Sequence, residues 1–401
     1  MKRKITAAAA FALCVAMGVC ACSPSEKEDT FTGKEKEELA WQPNLDRISP
    51  EVYADISNLD LKPGTYISVI GKREGTAYWS EVQAGVEQAA EDINKHLGYK
   101  GEDKIKVLYN APADSENIDE QVNILDEELA RYPDVIAVAS VAEDASAVQF
   151  DLAAENGIAV VAFDSRNNYQ GIQCTCMTDN VAAAKEGARK MSEAIEEKGE
   201  ILLIAQDSVS GTAKERTKAV TEEITANYPN VKVVETIYMD QFDDLKMQAA
   251  ADELGVTKEQ LAEWTVESSG QTPADEGEEA MSEEVRTKLE DIRAVADGMT
   301  DADVVARYME KYPNLKGCFA VNADAVLLAM DAFETAENEE DIVLMGFDAG
   351  KEQIAALKNG TIDGLIVQNP FGMGYATVVA AARAALEIGN EATVDTGYVW
   401  V

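Results

Sequence analysis

The segment TYISVIGKREGTAYWSEVQAGVEQAAEDI, residues 65–93, contains the pattern that decides the fold. It begins with a short apolar run at 66–70 and continues with apolar residues at helical spacing, namely Val82, Val86, Ala89, Ala90 and Ile93. A buried run predicts a strand, and apolar positions three or four residues apart predict an amphipathic helix. A strand followed by such a helix is the repeating unit of a parallel α/β sheet.

The same alternation continues along the chain in two series. The first series predicts strands at 66–70, 105–109, 135–139 and 159–163, and the second predicts strands at 201–205, 231–238, 317–321, 342–347 and 365–368. Stretches with helical spacing separate these runs. We therefore predict an α/β protein made of two similar parallel-sheet units.

The composition is typical of a soluble globular protein. The chain has 401 residues, enough for two or three domains, and 46% of them are hydrophobic and 27% charged. Its 35 basic and 74 acidic residues give a formal net charge of -39. Because such a charge repels phosphate backbones and anionic headgroups, we expect no nucleic-acid partner.

The first 21 residues have the features of a secretory signal. Basic residues at 2–4 precede an uncharged apolar run that ends in Val19-Cys20-Ala21-Cys22. This ending resembles a bacterial lipoprotein signal, in which a small residue directly precedes the cysteine that carries the lipid. We expect residues 1–21 to be removed and Cys22 to be lipidated, which predicts an extracytoplasmic protein anchored to the cell membrane. An ordinary signal peptide and an uncleaved anchor helix are the alternatives.

Two segments lie outside the alternating pattern. Residues 22–63 are mostly polar and charged, and we interpret them as a flexible tether between membrane and domain. Residues 251–300 carry 14 acidic and 4 basic side chains and interrupt the second series. We interpret them as an insertion: a helical addition to the second unit, a surface that faces a partner, or a solvated decoration.

Catalytic and metal-binding patterns are missing from the sequence. His96 is the only histidine, which excludes Ser-His-Asp, Cys-His and HExxH arrangements, and its place at a predicted helix end favours a capping role. The residues after the first strand match neither phosphate-binding glycine motif. Cys174, Cys176 and Cys318 favour small buried side chains over a disulfide or a metal site. We predict no enzyme activity, no cofactor and no metal.

Polar and aromatic residues follow the predicted strands, at the edge where open α/β sheets bind ligands. The first unit contributes residues 76–80, Ser140 and 164–166, and the second contributes Arg216, Phe242, Asn322, Asp348 and Gln368. Each has an ordinary structural alternative, such as helix capping for Asp348, an ion pair for Arg216 or core packing for Trp79. Their recurrence at one edge predicts a shared ligand site.

The order and spacing of these segments resemble the periplasmic sugar-binding proteins of the ribose-binding type, which are substrate-binding components of ABC importers. The resemblance runs from about residue 65 into the last helix, apart from 251–300. It rests on Tyr78-Trp79 with Val82-Gln83-Ala84-Gly85, Phe163-Asp164, Thr178-Asp179-Asn180, the run 210–216, Phe319-Ala320-Val321-Asn322, Gly346-Phe347-Asp348 and Gln368-Asn369-Pro370. It implies a type 1 periplasmic binding protein fold: two doubly wound parallel-sheet lobes, a three-segment hinge and a ligand cleft between the lobes.

The resemblance also implies domain boundaries and a ligand site. The N-terminal lobe would comprise 64–178 with 369–395, and the C-terminal lobe 179–368 with 396–401, with hinge crossings near 178–180, 368–370 and 393–397. The implied ligand residues are Thr76, Tyr78, Trp79, Ser140, Asp164, Ser165, Arg216, Phe242, Asn322, Asp348 and Gln368.

The implied roles follow sugar chemistry. Tyr78 and Trp79 would stack on the sugar ring, while Asp164 and Arg216 would bond its hydroxyls. Thr76 and Ser140 stand where the family has asparagines, and Ser165 stands where it has an arginine. The ligand therefore need not be ribose.

Together these features predict a lipoprotein that captures a sugar, or a similar polyhydroxy ligand, and delivers it to an ABC importer. The expected partners are the sugar, the importer's membrane subunits and the lipid bilayer through Cys22, and the protein is expected to be a monomer. A lipoprotein sensor that presents a sugar, an autoinducer or a nucleoside to a membrane receptor kinase is the alternative. A regulator of the lac-repressor type would need a basic DNA-binding surface, and an enzyme on this scaffold would need turnover of the bound sugar.

Overall fold

The computed structural model describes residues 39–113, 115–268, 282–336 and 342–401. The predicted signal peptide, Cys22, the first part of the predicted tether and residues 269–281 of the predicted insertion lie outside the described residues. A search of the described helices finds none with the length and hydropathy of a membrane span.

Helices and strands alternate along most of the chain. The helices are α1 (Gln42–Leu45), α2 (Ala77–Leu97), α3 (Ile118–Leu129), α4 (Ala147–Glu155), α5 (Asn180–Ala194), α6 (Gly211–Asn227), α7 (Phe242–Glu253), α8 (Lys258–Ser268), α9 (Glu283–Asp297), α10 (Asp301–Lys311), α11 (Ala323–Thr335), α12 (Lys351–Asn359) and α13 (Pro370–Ala385). The strands are β1 (Tyr66–Ile70), β2 (Lys106–Asn110), β3 (Val135–Val138), β4 (Ala159–Phe163), β5 (Thr175–Met177), β6 (Gly199–Ala205), β7 (Val231–Tyr238), β8 (Leu315–Ala320), β9 (Val343–Phe347), β10 (Gly364–Gln368), β11 (Thr393–Asp395) and β12 (Tyr398–Trp400).

The strands form two six-stranded sheets, each the centre of one lobe. The sheet of the first lobe has the order β11-β5-β4-β3-β1-β2, and all its strands are parallel. The sheet of the second lobe has the order β12-β10-β9-β8-β6-β7, and only β12 runs antiparallel to its neighbour. Helices cover both faces of each sheet and bury separate apolar clusters there. The predicted α/β class with two doubly wound lobes is confirmed.

Two glycines set the packing between α2 and α13 in the first lobe. A Cβ atom on Gly85 would lie 2.0 Å from the carbonyl oxygen of Phe371, and one on Gly374 would lie 2.0 Å from that of Val82. Because both distances are far below van der Waals contact, only glycine lets the two helix backbones approach this closely.

Three chain segments connect the lobes, following β5, β10 and β11. They are bonded to one another: Thr396 donates its backbone N–H to Met177 (3.0 Å), and Asn369 donates its side-chain amide to Thr396 (2.8 Å). The backbone N–H of Asp179 donates to the Asp395 carboxylate (3.2 Å). The three segments therefore lie side by side, while the residues at which each lobe begins and ends stay a prediction.

Residues 40–63 correct the predicted tether. Instead of extending freely, this segment buries Leu45, Ile48, Tyr53, Leu59 and Leu61 in the core of the first lobe. Ser49 also pairs with Asp395 through two backbone hydrogen bonds of 2.8 and 2.9 Å. The tether prediction is wrong for this segment because its few apolar residues pack against parts of the chain that are distant in sequence.

The described parts of the predicted insertion are helical. Apolar residues of α9, including Leu289 and Ile292, form a small cluster with Val256, Leu261 of α8 and Ala250 of α7. This packing places α8 and α9 on the second lobe through α7. Of the three interpretations, the structure favours the helical addition.

Candidate functional site

A cavity of about 800 Å³ lies between the two lobes. Its lining includes eight of the residues that the resemblance implied: Thr76, Tyr78, Trp79, Asp164, Arg216, Asn322, Asp348 and Gln368. They come from the carboxyl ends of strands in both sheets, or from the loops and helices that follow those strands. This is where parallel α/β sheets leave side chains free for ligands.

Asp164 is the centre of the first-lobe side of the cavity. It directly follows β4 and has a left-handed backbone with φ of 56°, a conformation that Asp tolerates better than most residues. The Tyr78 hydroxyl donates to its Oδ1 (2.7 Å), and Lys72 Nζ lies 3.3 Å from its Oδ2. Burial, followed by the charge of Asp164, raises the pKa of Tyr78 well above 10, so the phenol stays protonated and remains a donor.

Lys72 is a site residue that the sequence analysis missed. Its side chain is only 2% exposed, and its Nζ lies between Asp164 and Glu116, the latter at 3.9 Å. Burial alone would lower the pKa of Lys72, but the nearby carboxylates of Glu116 and Asp164 more than offset it, so the pKa is raised and the amine stays charged. Its position, two residues after β1, is the signal that could have identified it.

Asp348 is the corresponding carboxylate of the second lobe. It directly follows β9 and also has a left-handed backbone, with φ of 72°. Its Oδ2 accepts the backbone N–H of Ala323 (3.0 Å), and its Oδ1 accepts the amide of Gln368 (2.7 Å). Burial raises its pKa above the usual value, and the opposing charge of Arg216 limits the rise.

Arg216 lines the cavity, and each of its three side-chain nitrogen atoms donates a hydrogen bond to the protein. Its Nε donates to Asn180 (2.8 Å), one Nη to the carbonyl of Val321 (2.7 Å) and the other to Gln368 (2.8 Å). The guanidinium also stacks on the Phe347 ring, 4.2 Å from its centroid. Arg216 therefore holds Gln368, which in turn holds Asp348, and acts here as a positioning residue.

Trp79, Thr76 and Asn322 lie at the cavity with structural roles of their own. Trp79 is only 5% exposed and packs edge-on against Tyr78 and Phe163. The side chains of Thr76 and Asn322 accept backbone N–H groups at the first turns of α2 and α11. Tyr78 is half-buried and is thus the residue of this pair with the better access to the cavity.

Three of the implied ligand residues do not line the cavity. Ser140 is 2% exposed and accepts a hydrogen bond from Asn167, and Ser165 is fully buried. Phe242 is 5% exposed and belongs to the apolar core of the second lobe, because α7 begins there with its first side chain turned inward. These three residues are removed from the candidate site.

The three cysteines within the described residues lie in the two cores. Cys174 and Cys176 have free thiols with their sulfur atoms 4.0 Å apart in the first lobe, and Cys318 is buried in the second. Burial raises the pKa of Cys318 to about 12 and that of Cys176 well above 9. Among the described residues, no group of histidine, cysteine and carboxylate side chains is arranged to hold a metal ion.

Ion pairs join the two lobes. Arg73 of the first lobe lies 3.1 Å from Asp324 of the second. Elsewhere Lys214 pairs with Glu143 (2.5 Å), and Arg166 pairs with Glu215 (2.8 Å). Each pair has one residue in each lobe, so the pairs would break if the lobes moved apart.

The chain matches the family model described as a periplasmic binding protein domain over residues 67–261 and 266–391. It belongs to the periplasmic binding protein family. The family prediction is confirmed, and membership makes the protein an extracytoplasmic ligand-binding protein rather than an enzyme. None of the curated proteins compared with the chain matches it.

Several solved structures share the fold. A carbohydrate transporter solute-binding protein from Agrobacterium radiobacter, in complex with D-arabinose, is 22% identical with a TM-score of 0.62; the match covers 84% of this chain and 94% of that one. An ABC transporter solute-binding protein from Agrobacterium vitis, with bound D-fucose, is 23% identical with a TM-score of 0.61 and the same coverage. An arabinose-binding protein from Geobacillus stearothermophilus is 22% identical with a TM-score of 0.59, covering 84% and 97%.

Proposed function

We propose that the protein captures a sugar between its lobes and delivers it to an ABC importer, and that it does so as a monomeric lipoprotein anchored through Cys22. The observation that carries the sugar-binding part is the pair of buried carboxylates, Asp164 and Asp348, one from each lobe, in a single cavity. The ligands bound in two of the similar structures, D-arabinose and D-fucose, support the same class of ligand.

The chemistry of the cavity suits a neutral ligand rich in hydroxyls. Carboxylates accept hydrogen bonds from hydroxyls, and the Gln368 amide has a second N–H beside the one that it donates to Asp348. The Tyr78 ring offers an apolar face to the C–H groups of a sugar. The charges of these buried carboxylates are balanced within the protein. Lys72 lies beside Asp164, and the positive charge of Arg216 stabilises the ionised form of Asp348. A ligand with its own net charge would disturb this balance, whereas a neutral sugar would not.

The proposed delivery to an importer and the proposed lipid anchor are supported by different observations. The Val19-Cys20-Ala21-Cys22 sequence supports the lipid anchor. The similar solved structures support an importer as the partner, because the one from Agrobacterium vitis is described as an ABC transporter solute-binding protein. An anchor of this kind would keep the protein beside the importer's membrane subunits.

Titration calorimetry of the purified protein against a panel of neutral monosaccharides and disaccharides tests the proposed function. We expect at least one of them to bind, and we expect Asp348→Asn to weaken that binding by about tenfold or more, because a hydroxyl loses its charged acceptor in a buried site. Asp291→Asn, which changes an exposed residue of α9 outside the cavity, is the matched control and should bind as the wild type does. Failure of every sugar to bind would contradict the proposal.

A further inference from the structure

The cavity is larger than one sugar ring needs. Its volume is about 800 Å³. Even if each atom is given the roughly 30 Å³ that a water molecule takes up in the liquid, the twelve non-hydrogen atoms of a hexose fill only about 360 Å³. The twenty-three of a disaccharide fill about 690 Å³ on the same scale. The cavity therefore has room for a second unit beside the one that Asp164 and Asp348 would hold.

The cavity is also lined by a second set of residues, which we call the outer wall. It consists of Asn44, Arg47, Glu81, Lys351, Glu352 and Phe371. These residues are exposed or half-buried, whereas the polar groups around Asp164 and Asp348 are buried. The cavity lining thus has a buried part and an exposed part, and residues of the mispredicted tether belong to the exposed part.

The part of the outer wall that contains Asn44, Arg47 and Phe371 is attached to the rest of the protein. The carbonyl of Asn44 accepts the side-chain amide of Asn369 (2.7 Å), which belongs to a segment connecting the lobes. Leu45 and Ile48, which flank Arg47, are buried in the core of the first lobe. The Phe371 ring is also supported, since it packs against Trp41 with 6.3 Å between ring centroids. A wall that is already in place costs little conformational entropy when a ligand binds.

The chemistry of the outer wall is that of a second sugar site. It offers two cations, Arg47 and Lys351, balanced by the carboxylates of Glu81 and Glu352. These groups can bond hydroxyls from both sides without requiring a charged ligand. The half-buried ring of Phe371 offers a face for the C–H groups of a pyranose.

From the volume, the position and the chemistry together, we propose that the ligand is a disaccharide. One ring lies between Asp164 and Asp348, and the second lies against the outer wall, where Arg47 and Phe371 contact it. This inference rests on the proposed function and goes further, because it assigns ligand contacts to residues 40–63.

Calorimetry with matched sugars tests the inference. The probes are glucose with maltose and cellobiose, galactose with lactose and melibiose, and xylose with xylobiose. We expect one disaccharide to bind at least about tenfold tighter than its component monosaccharide. Arg47→Ala and Phe371→Ala should each remove most of that difference while leaving binding of the monosaccharide within about twofold.

A control and two contrary outcomes separate this inference from the proposed function. Lys62→Ala removes an exposed cation of the same segment outside the cavity and should leave both affinities unchanged. The inference is overturned, with the proposed function intact, if monosaccharides bind as tightly as every disaccharide or if both variants weaken the two sugars equally. If no sugar of either length binds, the inference and the proposed function both fail.

Discussion

At the scale of single residues, Gln368 links several polar groups of the cavity through hydrogen bonds. Its side-chain oxygen accepts from Thr178 (2.9 Å) and Arg216 (2.8 Å), while its amide donates to Asp348 (2.7 Å). An amide is the side chain that can do both at once without carrying charge. Because Gln368 ends β10 and Thr178 lies on the first connecting segment, this network fixes the Asp348 carboxylate relative to both lobes.

The protonation of Asp348 gives a prediction about pH. Burial raises its pKa in the folded protein above 3.8, so the folded state binds the proton more tightly than the unfolded chain does. Its ionisation therefore lowers the free energy of unfolding as the pH rises from about 4 through the folded-state pKa. Asp348→Asn lacks this ionisation, so the stability of the variant relative to the wild type should increase with pH over that interval. Urea unfolding at a series of pH values measures the difference, and a difference that stays constant or decreases would contradict the burial argument.

At the scale of elements, the segment 40–63 gives a prediction about stability. Tyr53 is fully buried, and its hydroxyl accepts the backbone N–H of Glu391 (2.5 Å). Replacing it by Ala removes an aromatic side chain from the core, so Tyr53→Ala should lower the free energy of unfolding by about 3–5 kcal/mol. Urea unfolding measures this loss.

The neighbouring residue provides the control for that measurement. Val52 is 41% exposed, so Val52→Ala should change the free energy of unfolding by no more than about 0.5 kcal/mol. Equal and small effects of both substitutions would show that the segment does not belong to the core and would restore the tether interpretation.

The elements that the sequence predicted are those whose own residues carry a strong pattern. The bounds of β1, β4 and β7 match the predicted runs, since each is apolar enough to be recognised from its own residues. β11 and β12 have three residues each and were missed. Their pairing with β5 and β10 depends on partners elsewhere in the chain, which no local pattern reveals.

Only part of the candidate site could be predicted from the sequence. A position at a strand end identified Asp164, Asp348 and Gln368, all of which line the cavity. A position at a strand end does not show where a side chain points. Ser165, beside Asp164, was therefore included in the predicted ligand site although it is fully buried. Arg47 was missed because its place in the cavity depends on how residues 40–63 pack, which the sequence pattern did not show.

At the scale of the whole molecule, the predicted anchor gives a prediction about location. If the lipid is attached to Cys22, Cys22→Ser should release the protein from the membrane, whereas Cys20→Ser should not. Fractionation of cells that express each full-length variant, followed by immunoblotting, measures the distribution. Membrane retention of Cys22→Ser equal to that of the wild type would contradict the lipoprotein interpretation.

The arrangement of the lobes suits the proposed capture and release of a ligand. The ligand cavity and the ion pairs Arg73–Asp324, Glu143–Lys214 and Arg166–Glu215 occupy the same interface. Movement of the lobes would therefore open the cavity and break these contacts together. The connecting segments stay bonded to one another and can serve as the axis of that motion.

Native mass spectrometry tests the central claim, that both lobes together hold a neutral sugar, most directly. The purified protein and its Asp348→Asn variant are incubated with an equimolar mixture of neutral monosaccharides and disaccharides, transferred to a volatile buffer, and analysed before and after release of the ligand. The account predicts one sugar per wild-type chain and a strongly reduced bound fraction in the variant. A wild-type chain that retains no sugar, or a variant that retains as much sugar as the wild type, would contradict it.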